Sequence, residues 1–334
     1  MAHGQRLAAE APVNPLVPVV ESVAYLGSGY RDLEDDFGVD EAARRFAANG
    51  RASFLPVGTL RGILAAVAPD VVLTTNAPRS ERAAVLAARA LGIPAVVVVD
   101  LFALEELDWL ARPTFADALC VLSQSVKERL VSAGRPAVDV HVTGNPVFDR
   151  LADPALAERG RALRTTRGWE GRRVITWASQ PELGDPQLPR RIEAALIAAL
   201  DDHPQWQLVI RPHPNDQYAP PTPHPRLTLS TRADDLHTLL AASDVVVTMT
   251  STVGLEAVLL GKPLVTWDLS ENTRYCPYSA MGFSRGVTEL EQLAMAIDEA
   301  GSGQGAAPIL PPIGRAREGV LAALDQLLAP RDPH

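Results

Sequence analysis

Residues 243–269 read SDVVVTMTSTVGLEAVLLGKPLVTWDL, and this stretch decides the fold. Its run at 245–247 is β-branched throughout and too short for a helix, the pattern of a strand buried on both faces of a parallel sheet. A hydroxyl-rich turn follows at 248–252, then a helical segment at 253–260 stopped by Gly261 and Pro263, then a strand at 264–267. Strand, polar turn, helix and strand make one βαβ unit. Its turn lies at the strand's carboxyl end, where open α/β sheets bind ligands.

Thr250, Ser251 and Thr252 place hydroxyls and backbone N–H groups at a helix N-terminus, whose dipole favours an anion such as a phosphate. Glu256 lies four residues after Thr252, one turn along a similar face. A carboxylate there repels phosphate but accepts hydrogen bonds from a ribose diol. The turn therefore reads as part of a nucleotide-sugar site, with Glu256 as its ribose ligand. The competing reading leaves Ser and Thr as helix caps and Glu256 as a surface residue.

Outward from this unit the chain reads as two successive series of strands and helices. In the first, strands are expected at residues 71–74, 95–99, 118–122 and 140–143, with helices at 79–91, 104–110 and 123–132, the last capped by Ser123. Upstream, residues 20–26 read as a strand closed by a Gly27–Ser28–Gly29 turn, 52–57 as a short strand and 59–67 as a helix. The HGQR run at 3–6 reads as the turn after a first strand that is missing, with a helix and a Pro-broken linker behind it. Residues 153–171, charged and Arg-rich, read as an interdomain connection. The second series has strands at 174–177 and 206–210, helices at 189–200 and 235–242, and a proline-rich loop at 220–226. The tail reads as helices at 288–300, capped by Thr288, and 315–328, separated by a Gly/Pro loop. The expected fold is α/β: two Rossmann-like parallel-sheet domains, 1–146 and 147–334, facing across a cleft.

Composition narrows the function. The 334 residues are 47% hydrophobic and 21% charged, enough for real cores and against disorder. The formal net charge is −9 without a basic run, which excludes a nucleic-acid partner. Cys120 and Cys276 make neither a disulfide framework nor a metal spacing, and no leader or membrane-spanning stretch is read, so a cytoplasmic protein without metal or other cofactor is expected. No P-loop, GxSxG or dinucleotide fingerprint occurs.

Three loops share the inferred carboxyl rim of the second sheet. Arg211–Pro212–His213–Pro214–Asn215 follows one strand, its prolines holding His213 as a phosphate donor or general acid, against a purely structural role. Ser179 and Gln180 follow another, as phosphate-side donors or as a polar turn. Thr250–Thr252 make the third. In the first domain Asp100 closes a fully apolar strand, where a lone carboxylate is costly unless solvated or paired, and Glu105 and Glu106 follow. Any of these carboxylates is a candidate catalytic group; the two glutamates read equally as a solvated helix face. His141, His203, His224, His237 and His334 show no partner pattern.

Taken together, Val142–Thr143–Gly144–Asn145–Pro146–Val147, Arg211–Pro212–His213–Pro214, Ser251–Thr252–Val253–Gly254–Leu255–Glu256–Ala257 and Gly261–Lys262–Pro263 resemble nucleotide-sugar enzymes of the GT-B fold. The RPHP and STVGLEA pair resembles bacterial capsule-polysaccharide glycosyltransferases, including the Kdo-transferring type. The VTGNPV junction is similar to that of UDP-N-acetylglucosamine 2-epimerases. The resemblance implies that Thr250, Ser251 and Thr252 hold the donor phosphate, Glu256 the ribose and His213 the phosphate or leaving group, with the final helix crossing back onto the first domain. The leading expectation is a metal-independent glycosyltransferase acting on a nucleotide-sugar donor and a glycan or small-molecule acceptor, as monomer or homodimer, and peripheral to the membrane at most. The alternatives are a 2-epimerase or hydrolase, and a non-catalytic nucleotide-sugar-binding protein. Epimerases carry an acidic residue where this chain has Asn76–Ala77–Pro78, yet Asp100, Glu105 and Glu106 fall where they place catalytic acids.

Overall fold

The computed structural model describes residues 2–10, 17–182, 184–214, 222–300 and 310–329. The Pro-broken linker at 11–16, Asn215, the start of the proline-rich loop, most of the Gly/Pro loop in the tail and His334 lie outside the described residues. The chain divides into two compact units, one running to Asn145 and taking in the chain from Arg317, the other spanning Pro146–Ala316.

The first unit opens on helices α1 (Ala2–Glu10), α2 (Val19–Phe37), α3 (Val39–Asn49) and α4 (Val57–Val67). The strand expected at 20–26 and its glycine turn are both inside α2, a correction with a simple cause. Val23, Leu26, Tyr30 and Leu33 recur at helical spacing and are buried. HGQR is likewise helical, within α1. Gly4 is there because α1 and α2 touch: a Cβ on it would lie 2.0 Å from the Val23 carbonyl oxygen. Leu7, Leu26, Tyr30 and Phe54 form the core of this helical layer, with Phe46 stacked on Phe54. Residues 52–57 are not a strand either; a 3-10 turn (Gly50–Ser53) leads to α4, whose Thr59 N–H and hydroxyl both donate to buried Asp32, at 2.8 and 2.7 Å.

The βαβ series follows: β1 (Val72–Thr75), α5 (Ser80–Ala90), β2 (Ala95–Val98), α6 (Leu107–Leu110), β3 (Ala118–Val121), α7 (Gln124–Ser132) and β4 (Val140–Val142). Ser123 caps α7, accepting from the Val126 N–H. The strands form one parallel sheet in the order β1-β2-β3-β4. Across one face lies the C-terminal helix (Ala316–Leu328), whose Val320 and Ala323 are buried against Val96, Val98, Ala118 and Cys120.

The second unit begins with a 3-10 turn (Pro146–Ala152) and α8 (Leu156–Arg167). Residues read as a bare connection thus contain a packed helix. Gly160 sits against the Ala241 backbone, and Arg164 Nη1 donates to both carboxylate oxygens of Asp244 at 2.9 and 3.0 Å. Then come β5 (Arg173–Ala178), α9 (Leu188–Asp202), β6 (Trp206–Arg211), β7 (Leu227–Leu229), α10 (Leu236–Ala242), β8 (Val245–Thr248), α11 (Thr252–Leu259), β9 (Leu264–Trp267), β10 (Arg285–Val287) and α12 (Gln292–Glu299). All six strands are parallel, ordered β10-β9-β8-β5-β6-β7. The core holds Trp177, Ile192, Trp206, Val247 and Ile297. Thr288 does not cap α12, which starts four residues later; its N–H instead donates to Gln292 Oε1.

Each unit is a Rossmann-like parallel α/β layer, and together they constitute the GT-B fold. Among the described residues no helix is long and apolar enough to cross a membrane.

Candidate functional site

In the second unit register brings the expected loops together. Ala178 pairs with Arg211 on one side and Thr248 on the other, so 179–180, 212–213 and 249–252 all leave the same edge of the sheet. Gln180 and Thr250 are joined reciprocally: Gln180 Nε2 donates to the Thr250 hydroxyl at 2.8 Å, and the Thr250 N–H donates to Gln180 Oε1 at 3.0 Å. That pair of hydrogen bonds occupies the Thr250 N–H and leaves Ser251 and Thr252 as the residues Gln180 does not engage at the start of α11. Ser251 caps the helix through Val253 N–H, and its carbonyl accepts from the buried Tyr278 hydroxyl at 2.9 Å. Thr252 is exposed. Ser179 is buried, its N–H donating to the Arg211 carbonyl.

Arg211 is committed to the fold. Its Nη1 donates to Ser230 Oγ at 2.9 Å, to the Thr231 carbonyl and to the Asp234 carbonyl at 3.0 Å, clamping the β7–α10 turn. His213 is half-buried on the loop that Arg211 anchors. Lys262 likewise serves structure, donating to the Ala241 carbonyl at 2.8 Å.

Glu256 is not a surface residue. It is buried in α11, with Oε1 taking Arg150 Nη2 at 3.0 Å and lying 3.6 Å from His237 Nε2. Neither partner carries a sequence signal: Arg150 is 106 positions away, and His237 stands alone in α10.

In the first unit Asp100 leaves the carboxyl end of β2 with its backbone fixed on both sides. Its N–H donates to Asn76 Oδ1 and its carbonyl accepts from Asn145 Nδ2, both at 2.9 Å, and both asparagines are buried. Within the VTGNPV segment it is the Asn145 side chain that makes this link. The turn 75–77 that presents Asn76 is held by Glu81, whose Oε2 accepts from the Thr75 hydroxyl and from the Ala77 N–H at 2.9 Å. The Asp100 carboxyl keeps part of its surface in solvent. Burial first, then the charge of Glu81, push its pKa above the usual carboxylate value. Glu106, half-buried where α6 begins, is raised too, by burial first and then by Glu105 and Asp100, against backbone hydrogen bonds that lower it. Glu105 is exposed. The non-glycine residue Ala103, at φ +53°, sits in the loop joining Asp100 to these glutamates, a left-handed conformation that the surrounding packing has to impose.

Among the described residues no group of three or more His, Cys, Asp or Glu is placed to hold a metal ion. Cys120 and Cys276 are buried and unpaired, and burial pushes each thiol up to about 11.

The GT-B fold and a family match together place the chain among nucleotide-sugar enzymes. A family model described as UDP-N-acetylglucosamine 2-epimerase matches residues 53–274, and the chain belongs to that family. Comparison with curated proteins yields no match. Among solved structures, the chain is similar to S. aureus MnaA in a UDP co-structure (18% identity, 83% of this chain and 81% of that one, TM-score 0.61). It is also similar to Neisseria meningitidis UDP-GlcNAc 2-epimerase bound to UDP-GlcNAc (18%, 81% and 80%, 0.58). A third is the Methanocaldococcus jannaschii UDP-GlcNAc 2-epimerase in complex with UDP-GlcNAc and UDP (15%, 83% and 80%, 0.56). At these identities the structures speak to fold. The family match overturns the glycosyltransferase expectation. The physical reason for the error is that the roles expected of the second-unit motifs, phosphate and ribose binding, are common to both reaction classes and carry no information on the reaction.

Proposed function

We propose that this chain epimerises a nucleotide-linked N-acetylhexosamine at C2, in the manner its family name describes, with UDP-N-acetylglucosamine as the first substrate to test. The carrying observation is the Asp100–Glu106 pair, two carboxyls that hold their protons to higher pH than usual on the sheet rim of the first unit. A C2–H bond flanked by no carbonyl cannot simply be deprotonated. Its electron pair needs somewhere to go, and loss of the diphosphate from C1 provides it. One carboxylate takes the C2 proton as the C1–O bond breaks, giving an unsaturated sugar and the free nucleotide. Return of a proton to the opposite face of C2, with the diphosphate re-adding at C1, completes the inversion. This chemistry suits one carboxylate acting as base and one carboxyl kept protonated as acid.

Ser251 and Thr252, at the start of α11, are assigned to the diphosphate, and Glu256 to the ribose. His213 is assigned to the phosphate side or leaving group. Arg211, Gln180 and Thr250 then act by fixing the loops, a role their hydrogen bonds already fill. No metal is assigned a part, and activity is expected to survive EDTA.

The test is UDP-N-acetylglucosamine in D2O with no acceptor, followed by NMR. Deuterium at C2 together with the manno epimer is the expected outcome. Release of UDP without the epimer makes the enzyme a hydrolase, and neither exchange nor release refutes the proposal. Asp100→Asn and Glu106→Gln should each lower kcat by about 10²–10⁴, the usual share of general acid–base catalysis.

A further inference from the structure

Two buried polar atoms at the Glu256 site have no hydrogen-bond partner among the described residues: Glu256 Oε2 and His237 Nε2. They belong to side chains that approach each other, since His237 Nε2 lies 3.6 Å from the other oxygen of the same carboxylate. A buried acceptor and a buried ring nitrogen left bare side by side are a costly arrangement for a fold to keep. A hydroxyl answers both. It donates to the carboxylate and, through its lone pair, accepts from the imidazole; with the opposite tautomer a second, vicinal hydroxyl donates to the ring nitrogen instead.

What stands over this pair is Arg150. Its guanidinium donates to Oε1 at 3.0 Å and makes no other side-chain hydrogen bond among the described residues. Its side chain is 54% exposed while that of Glu256 is 6% exposed. Oε1 of the carboxylate is therefore held by a side chain that is more than half in water, and an ion pair with one partner so exposed is weak.

We propose that His237 and Glu256 together form a hydroxyl-reading pair for the ribose of the bound nucleotide, and that Arg150 is an ionic cover which the ribose hydroxyls displace. This rests on the reading of Glu256 as the ribose ligand. It adds a second recognition residue and a competitor for the same carboxylate.

The experiment is calorimetry with UDP and 2′,3′-dideoxy-UDP, and the readout is the preference for UDP. Diphosphate contacts are common to both ligands and cancel. In the wild-type chain the preference is expected to rise with salt, because screening weakens the Arg150–Glu256 pair; a flat or falling preference overturns the cover. His237→Leu should cut the preference by about tenfold with dideoxy-UDP affinity unchanged, and His237→Gln should restore most of it. Arg150→Met should raise the preference about twofold to fivefold, and Arg150→Lys should leave it as in wild type. A preference unmoved by His237→Leu, or lowered by Arg150→Met, overturns the proposal. Equal binding of the two nucleotides by the wild-type chain removes Glu256 from the ribose, and the proposal with it. Failure to bind UDP at all removes the nucleotide reading itself.

Discussion

Asp100, proposed as a catalytic carboxyl, is where a cost in stability and a function would meet in one residue. Its strand is wholly buried up to Val99, while Asp100 itself is exposed, its carboxyl only partly desolvated and facing the charge of Glu81. The folded-state pKa is therefore above the unfolded one. The resulting penalty is absent below the unfolded value, grows as pH rises through the folded value, and is full above it. Asp100→Asn removes the ionising group, so its thermal midpoint should exceed that of the wild type at neutral pH and match it in acid, where the wild-type carboxyl is already protonated. Glu106→Gln should behave alike. Paired with the loss of turnover, a rise in midpoint marks residues kept for chemistry at a cost to the fold. A neutral-pH midpoint unchanged by either substitution would remove that conclusion. Asp100 could be named as a candidate from the sequence because a carboxylate closing an apolar run stands out in one dimension. Arg150 and His237 were not, because a contact spanning 106 positions leaves no local trace.

Among the elements, the two βαβ series were readable because fully buried parallel strands write continuous β-branched runs, as in Ala95–Val98 and Val245–Thr248. The short edge strands Leu227–Leu229 and Arg285–Val287 went unread, since three residues carry no period. The helical opening was misread for a different reason. Val, Tyr and Gly in residues 20–29 favour strand and turn locally, and tertiary packing overrides that preference once Val23, Leu26 and Tyr30 find a common face. Gly4 tests the correction. In an isolated helix Gly→Ala gains about 1 kcal/mol. Here the added methyl would meet the Val23 carbonyl at 2.0 Å, forcing α1 and α2 apart, and overpacking costs about 1–3 kcal/mol. Gly4→Ala should therefore destabilise the protein by a net of up to about 2 kcal/mol, read as a lower urea midpoint. A midpoint that rises would mean that α1 does not pack on α2.

On the scale of the molecule, the chain leaves the first unit at Asn145, builds the second, and returns with its last helix to the first. Asp149 marks the return, its Oδ1 accepting from the Gly314 and Ala316 N–H groups, both at 3.0 Å, where that helix begins. The helix then lays Val320 and Ala323 over Cys120 in β3, so the accessibility of one thiol reports on the docking of the chain's last segment. Both thiols are buried and pushed up to about 11, so neither should react with a thiol reagent in the native protein at neutral pH. Val320→Asp places an unpaired carboxylate against Val96 and Cys120, a change on the order of 3 kcal/mol, enough to release the helix before the units themselves unfold. Labelling followed by mass spectrometry should then find Cys120 modified and Cys276, in the second unit, still protected. Val320→Ile, which keeps the surface apolar, should protect both. Equal labelling of the two cysteines in Val320→Asp would mean that loss of the helix unfolds the whole chain, and that its two units do not stand separately.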